Sequence, residues 1–182
     1  MWSDRIVPIA LLSAYLASTP AAAEQPHYAI GRTPTPAEIA AWDIDVRADG
    51  KGLPKGRGGV EQGKEIYAAR CAACHGDKGQ GGEAEALVGG FGTLTKPNPI
   101  RTIGSYWPYA TTVFDFVRRA MPFNAPQSLS NDEVYAVSAY LLHLNDLVPA
   151  TAVLDATSLP RIMMPNRHGF IGPDPRPDVP SP

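Results

Sequence analysis

The sequence predicts an all-α fold, and three features support that prediction. Apolar or small residues recur at helical spacing from Gly59 to Arg70 and again from Val134 to Leu144. Ser130 and Glu133 form a capping box at the start of the second stretch. No run of useful length shows the alternation of apolar and polar residues that is typical of a strand. We therefore expect two amphipathic helices and no substantial sheet.

The first predicted helix has one residue that disfavours a helix. Val60, Gly63, Ile66 and Tyr67 lie on a single helical face. A glycine inside a helix costs about 1 kcal/mol relative to alanine. We expect Gly63 to be compensated by a close backbone approach where the two helices cross.

Length and composition limit the possible classes of protein. The chain has 182 residues, 44% of them hydrophobic, which is enough for one domain with a real core. Its formal net charge of −2 provides no basic surplus for nucleic acid or an anionic membrane, so we expect neither as a partner. The 19 prolines and 17 glycines indicate much irregular loop.

The N-terminus has the pattern of an export signal. A short n-region precedes an apolar run from Ile6 to Ala17, and residues 21–23 form an A-x-A cleavage pattern. That run is too short for a membrane span, which needs about 20 residues. The alternative is an N-terminal core helix. We expect residues 1–23 to be removed, the protein to be periplasmic, and the remaining chain to contain no membrane span.

The two cysteines of the chain lie in a five-residue motif, Cys71-Ala72-Ala73-Cys74-His75. C-x-x-C-H is the attachment site of a c-type haem, because two thiols at this spacing can add to the two vinyl groups of one porphyrin. His75 would then be the proximal iron ligand. We expect one covalently attached haem c.

Three other interpretations of this motif agree less well with the sequence. A thioredoxin-type pair opens a helix after a strand, whereas the residues before Cys71 read as helix. A zinc site needs about four ligands, and the other histidines are scattered. A structural disulfide would leave the adjacent His75 without a role.

The second axial position of the iron has few candidate ligands. Met121 follows an apolar stretch and precedes Pro122, which would end the helix and present the thioether from a loop. We expect His75 and Met121 to be the two axial ligands. The rival ligands are Met163 and Met164, followed by His143 and His168.

Short motifs across residues 57–147 resemble a class I cytochrome c domain. They occupy residues 63–67, 71–76, 119–122 and 129–142. Outside these motifs, residues 31–44, 104–112 and 164–170 resemble the cytochrome subunit of Sox-type sulfane/sulfite dehydrogenases. The resemblance implies that electrons arrive from a molybdopterin-containing subunit that oxidises a sulfur compound. Fuller members of that family carry two haem domains, whereas this chain has a single C-x-x-C-H.

The chain is expected to divide into a signal peptide at 1–23, an N-terminal arm at 24–56, the cytochrome domain at 57–147 and a proline-rich C-terminal arm at 148–182. Neither arm has the periodic apolar pattern of a core of its own. Large apolar groups at Trp42–Ile44 and Ile162–Met164 are expected to pack on the domain or on a partner.

Three residues between the haem motif and the ligand loop could donate hydrogen bonds to a haem propionate. They are Arg101, Tyr106 and Trp107. The alternative is that Tyr106 and Trp107 are ordinary core residues.

These observations predict an electron-transfer subunit without catalytic residues of its own. It would accept electrons from the molybdopterin-containing subunit of a sulfur-oxidising dehydrogenase and pass them to a downstream cytochrome or oxidase. One alternative is a freely diffusing carrier, which the two long arms disfavour. Another is a haem sensor with an open sixth position, which Met121 disfavours.

Overall fold

A computed structural model of the protein describes residues 30–170. The elements below lie in one compact unit that begins at Pro36. They are helix α1 (Pro36–Trp42), strand β1 (Arg57–Gly59), helices α2 (Val60–Arg70), α3 (Ala72–His75), α4 (Ala110–Ala120) and α5 (Asn131–Leu144), strand β2 (Val153–Asp155) and a 3₁₀ turn (Leu159–Arg161). The predominantly helical fold is the predicted one.

Helices α2 and α5 cross at Gly63, where the sequence predicted a close backbone approach. A Cβ atom placed on Gly63 would lie 1.9 Å from the carbonyl oxygen of Ala136 on α5. One turn further along each helix, the rings of Tyr67 and Tyr140 pack with centroids 5.3 Å apart. The expected close backbone approach is therefore confirmed.

The predicted capping box begins α5. The Glu133 amide donates to the Ser130 hydroxyl at 3.3 Å, and the Ser130 amide donates to Glu133 Oε2 at 2.7 Å. The helix then buries nine consecutive residues, Val134 to Leu142. It is the central element of the core.

Helix α4 ends where Pro122 was expected to end it. Its last residue is Ala120, and Met121 follows in an extended conformation with its amide donating to the Val117 carbonyl. The helix packs on α5 through Phe114, whose ring lies 4.4 Å from that of Tyr135.

Two short strands were not anticipated. β1 and β2 pair antiparallel, with Gly58 opposite Leu154. Each strand has three residues, which is too short to show an alternating pattern in the sequence. Gly58 allows the pair to lie against α5, since a Cβ there would be 2.2 Å from the Ala136 amide nitrogen.

The segment after residue 147 contributes more to the domain than its composition suggested. Leu154, Leu159 and Met164 are buried in the same core as the helices. The neighbouring Met163 is 65% exposed. The burial of Met164 agrees with the expectation that Ile162–Met164 packs on the domain or on a partner. Leu154 and Leu159 have no helical or strand period around them, so the sequence did not reveal their burial.

Residues 44–48, which precede the cytochrome domain in the sequence, lie along α4, and we call this segment the strap. The Val46 amide donates to Asp115 Oδ1 at 2.8 Å, and Arg118 and Thr111 donate to the carbonyls of Ile44 and Ala48 at 2.9 and 3.0 Å. Val46 is also buried. This part of the N-terminal arm is therefore held on the domain.

Helix α1, which precedes the strap, has no buried residue, unlike the longer helices α2, α4 and α5. The Trp42 side chain is 88% exposed. Of the two expected sites for Trp42, packing on this domain is not observed, and packing on a partner stays a prediction.

Within residues 30–170, no helix is long and apolar enough to cross a membrane. The predicted signal peptide at 1–23 and the last twelve residues lie outside the described part of the chain.

Candidate functional site

The C-x-x-C-H motif bends the chain away from α2. Cys71 ends α2, with its amide donating to the Tyr67 carbonyl, and α3 begins at the next residue. Cys71 and Cys74 are not joined by a disulfide. Burial raises the pKa of the Cys71 thiol to about 11. The motif therefore presents two thiols, and the first stays protonated at neutral pH.

The His75 ring has a fixed orientation. Its Nδ1 lies 2.9 Å from the carbonyl oxygen of Glu85, and a carbonyl can only accept a hydrogen bond. Nδ1 therefore donates, which leaves Nε2 as the nitrogen available to a metal. Metal-binding histidines are commonly oriented in this way by a backbone carbonyl.

A cavity of about 680 Å³ opens beside the motif. This volume is within the range of about 300–1,000 Å³ that is usual for ligand pockets. Both thiols, the His75 ring and Met121 line the same cavity. Its apolar walls include Leu87, Ile103, Val113, Phe116, Val117, Leu129, Val137 and Leu141.

The lining of the cavity distinguishes Met121 from the other candidate iron ligands. Met121 lines it, whereas Met163 and Met164 do not. His143 is also absent from the lining, and its Nδ1 pairs with the Val148 carbonyl at 3.0 Å. His168 is likewise not among the lining residues.

The three candidate propionate donors occupy different places. Trp107 lines the cavity and packs edge-on against Phe116, with ring centroids 5.7 Å apart. Arg101 and Tyr106 are outside the lining and stack on each other, with the guanidinium 5.7 Å from the ring centroid. Of the three, the structure brings only Trp107 to the site. Tyr106 instead packs against Phe170.

Tyr67 is a site residue that the sequence placed only in the core. It lines the cavity, and its hydroxyl donates to the Gly76 carbonyl at 2.8 Å, directly after the motif. Burial raises the pKa of Tyr67 to about 12, so the hydroxyl remains a donor. Its position four residues before Cys71 on a helix was the available clue.

Asn145 supports the cavity wall from behind. Its side-chain nitrogen donates to the Leu87 carbonyl at 3.1 Å and to the Leu141 carbonyl at 2.9 Å. Leu87 and Leu141 both line the cavity. No local sequence pattern distinguished this asparagine.

The rim of the cavity carries exposed aromatic rings. Phe123 lines the cavity with 86% of its side chain exposed, and Phe116 is partly exposed beside it. Arg70 and Glu83 also line it, one of each charge. The mouth is therefore largely apolar, with two opposite charges.

Among residues 30–170, no group of three or more His, Cys, Asp or Glu side chains could hold a metal ion. The zinc interpretation of the cysteines thus gains no support from the described part of the chain.

Comparison with known proteins agrees with this geometry. The sequence model of the family Cytochrome c matches residues 60–145. A chain of the sulfane dehydrogenase SoxCD from Paracoccus pantotrophus is 46% identical, with a TM-score of 0.76 over 81% of this chain and 73% of that chain. The chain belongs to the cytochrome c family. The predicted class I cytochrome c fold is thereby confirmed, and electron transfer is the role of such a domain.

Two curated relatives are thiosulfate dehydrogenases, from Stutzerimonas stutzeri and Allochromatium vinosum. Each is 34% identical to this cytochrome, over 94 and 83 residues respectively. These matches cover 49% and 44% of the cytochrome, which spans only 29% of the length of either relative.

The residues of the cavity fit haem c, the cofactor that the family implies. Two thiols flank the turn, His75 has one nitrogen already fixed by a carbonyl, and a methionine sulfur lines the same space. When bound, haem c supplies an iron that gains and loses one electron.

Proposed function

We propose that this cytochrome is a periplasmic, mono-haem electron-transfer subunit of a sulfur-oxidising dehydrogenase. It accepts electrons from a molybdopterin-containing sulfite or sulfane dehydrogenase subunit and passes them to a downstream cytochrome or oxidase. The observation that carries the proposal is the likeness to a SoxCD chain, which covers 81% of this chain at 46% identity. The family model covers only residues 60–145, so the likeness takes in the flanking segments too.

Each cavity residue has a separate role in holding the cofactor. Cys71 and Cys74 would attach the haem, and the Glu85 carbonyl orients His75 so that Nε2 would be available to the iron. Met121, in the loop after α4, would offer its sulfur to the iron. The apolar walls exclude water from the iron, which raises the reduction potential. Trp107 is the propionate donor that the cavity supports, and contact from Arg101 and Tyr106 stays a prediction.

The thiosulfate dehydrogenases do not favour a second function. Their similarity extends over 83 to 94 residues, about the length of the cytochrome domain alone. The proposed role contains no sulfur chemistry in this chain. A catalytic subunit must therefore supply the electrons.

Two experiments test the proposal. In the first, the protein is denatured and extracted with acid acetone. Covalently attached haem stays with the protein, whereas haem in the solvent would contradict thioether attachment.

In the second, the tagged chain is purified from its source organism together with any molybdopterin subunit that accompanies it. Sulfite or thiosulfate should reduce the haem bands only when that subunit is present. Reduction of the haem by the sulfur compound in the cytochrome alone would contradict the proposed role. So would the absence of any molybdopterin subunit from the purified sample.

A further inference from the structure

Helix α1 presents an apolar face that is exposed in the described chain. Ile39 and Trp42 are three positions apart and so lie on one side of the helix. Ile39 is 49% exposed and Trp42 is 88% exposed. Exposed tryptophan is costly in water and frequently anchors protein interfaces.

Helix α1 is also too short to be stable on its own. Isolated helices shorter than about 12–15 residues are marginal in water. α1 has seven residues, and none of them is buried. Its own backbone hydrogen bonds therefore give it little stability, and a contact of its apolar face with a partner would add to that stability.

The strap fixes where α1 leaves the domain. Arg118 of α4 donates to the Ile44 carbonyl, two residues after Trp42, and Asp115 accepts the Val46 amide. α1 is therefore attached to the helix that ends next to Met121. This attachment distinguishes it from a loose tail.

The comparison with SoxCD identifies the kind of partner. The 19% of the chain outside that match is about 35 residues, so a continuous match begins no later than about residue 36. The likeness to a chain of a sulfane dehydrogenase thus includes α1, which lies outside the family domain at 60–145. A segment that adds nothing to the core therefore falls within the span of that match.

The size of the face indicates that α1 adds to a larger interface. Two side chains are far from the roughly 800 Å² per partner of a stable complex. A partner already held at the apolar mouth of the cavity, around Phe123, would supply the remainder.

We propose that Ile39 and Trp42 of α1 dock in an apolar groove on the catalytic dehydrogenase subunit, as a second contact in addition to the one at the cavity mouth. This inference rests on the proposed function. The docking mode is that of a short helix laid in a groove, with side chains at i and i+3 as anchors. Because the contact is apolar and distant from the iron ligands, it acts on the stability of the complex and leaves the haem unchanged.

The test compares Ile39→Ala, Trp42→Ala and the matched control Ile100→Ala, an isoleucine with 51% exposure on a loop. Binding of each full-length holoprotein to the purified molybdopterin subunit is measured by surface plasmon resonance. Trp42→Ala should raise Kd about tenfold or more, as expected for a tryptophan anchor. Ile39→Ala should raise Kd by less, and Ile100→Ala should match the wild type. Identical haem spectra of all four proteins would show that they are folded.

The outcomes separate the two proposals. If the wild-type cytochrome does not bind the molybdopterin subunit, the proposed function fails, and the docking role fails with it. If wild-type binding is retained and Trp42→Ala binds equally well, only the docking role of α1 is overturned. A photo-crosslinking residue at position 42 provides a second measurement. Crosslinks to the molybdopterin subunit support the role, and crosslinks to another copy of the cytochrome overturn it.

Discussion

Met121 is the residue whose replacement tests the iron site most directly. Met121→Ala should abolish the far-red sulfur-to-iron absorption band and lower the reduction potential, because a thioether favours ferrous iron. Covalent haem should remain, since attachment needs only the thiols. The band is measured on the oxidised protein, with Met163→Ala as a control on an exposed methionine outside the cavity. Retention of the band in Met121→Ala would contradict the assignment.

Gly63 tests the helix crossing, because two effects of opposite sign compete there. On propensity alone, Gly63→Ala would stabilise α2 by about 1 kcal/mol. The new Cβ, however, would meet the Ala136 carbonyl at 1.9 Å, and relieving that overlap requires the helices to separate. We expect a net loss of about 1–3 kcal/mol in the free energy of unfolding, as for other overpacked cores.

Chemical denaturation of the holoprotein measures the effect of this change. Gly59→Ala is the control, since its Cβ would meet only ordinary contacts at 3.6 Å or more. A stabilised Gly63→Ala protein would show that the two helices are further apart than described.

At the scale of elements, the capping box of α5 predicts a dependence of stability on pH. Hydrogen bonds from the Ser130 amide and hydroxyl hold the pKa of Glu133 below its ordinary value of 4.5. A carboxylate with a lowered pKa stabilises the fold above pH 4.5, and this stabilisation disappears as the pH falls through the folded-state pKa.

Glu133→Ala should therefore be less stable than the wild type at pH 7, and the difference should shrink towards pH 3. Ser130→Ala should cost about 1 kcal/mol at pH 7. Thermal unfolding at both pH values measures these effects. A Glu133→Ala deficit that stayed constant with pH would indicate a contribution from packing rather than from charge.

The strap along α4 gives a second prediction at this scale. Asp115→Ala would leave the buried Val46 amide without its acceptor, which costs about 1–3 kcal/mol. Hydrogen exchange at the Val46 amide should accelerate. Asp49→Ala removes a local turn acceptor for Lys51 in the same segment and serves as the control. Equal exchange rates in the two variants would argue against anchoring by Asp115.

At the scale of the whole molecule, the small net charge has a consequence for binding. A formal charge of −2 gives little long-range steering, and the proposed contacts are apolar. The Kd for the molybdopterin subunit should change by less than about threefold between 50 and 500 mM salt, because charge complementarity contributes little to such an interface. Titrations at both concentrations measure this. A steep loss of affinity would indicate a contact dominated by ion pairs.

Local sequence patterns predicted α2, α5, the end of α4 and the residues of the motif, because these depend on spacing along the chain, whereas the short helices α1 and α3 were not predicted. The C-x-x-C-H motif, Met121 and Trp107 were each expected near the cofactor, and all of them line the cavity. Contacts set by distant segments were not predictable in this way. Tyr106 lies outside the lining, where Phe170 packs on its ring and Asn166 donates to its carbonyl. Both partners come from a proline-rich segment without periodicity.

The pairing of β1 with β2 affects the timing of folding. If the chain is exported as proposed, its N-terminal part crosses the membrane first, so β1, α2 and the cysteine motif arrive first. Leu154, Leu159 and Met164, which complete the core, come almost a hundred residues after β1. Contacts between such distant segments slow folding, because the loop must close before they can form. The thiols are therefore accessible while the chain is still open, and the core is complete only when residues 154–164 arrive.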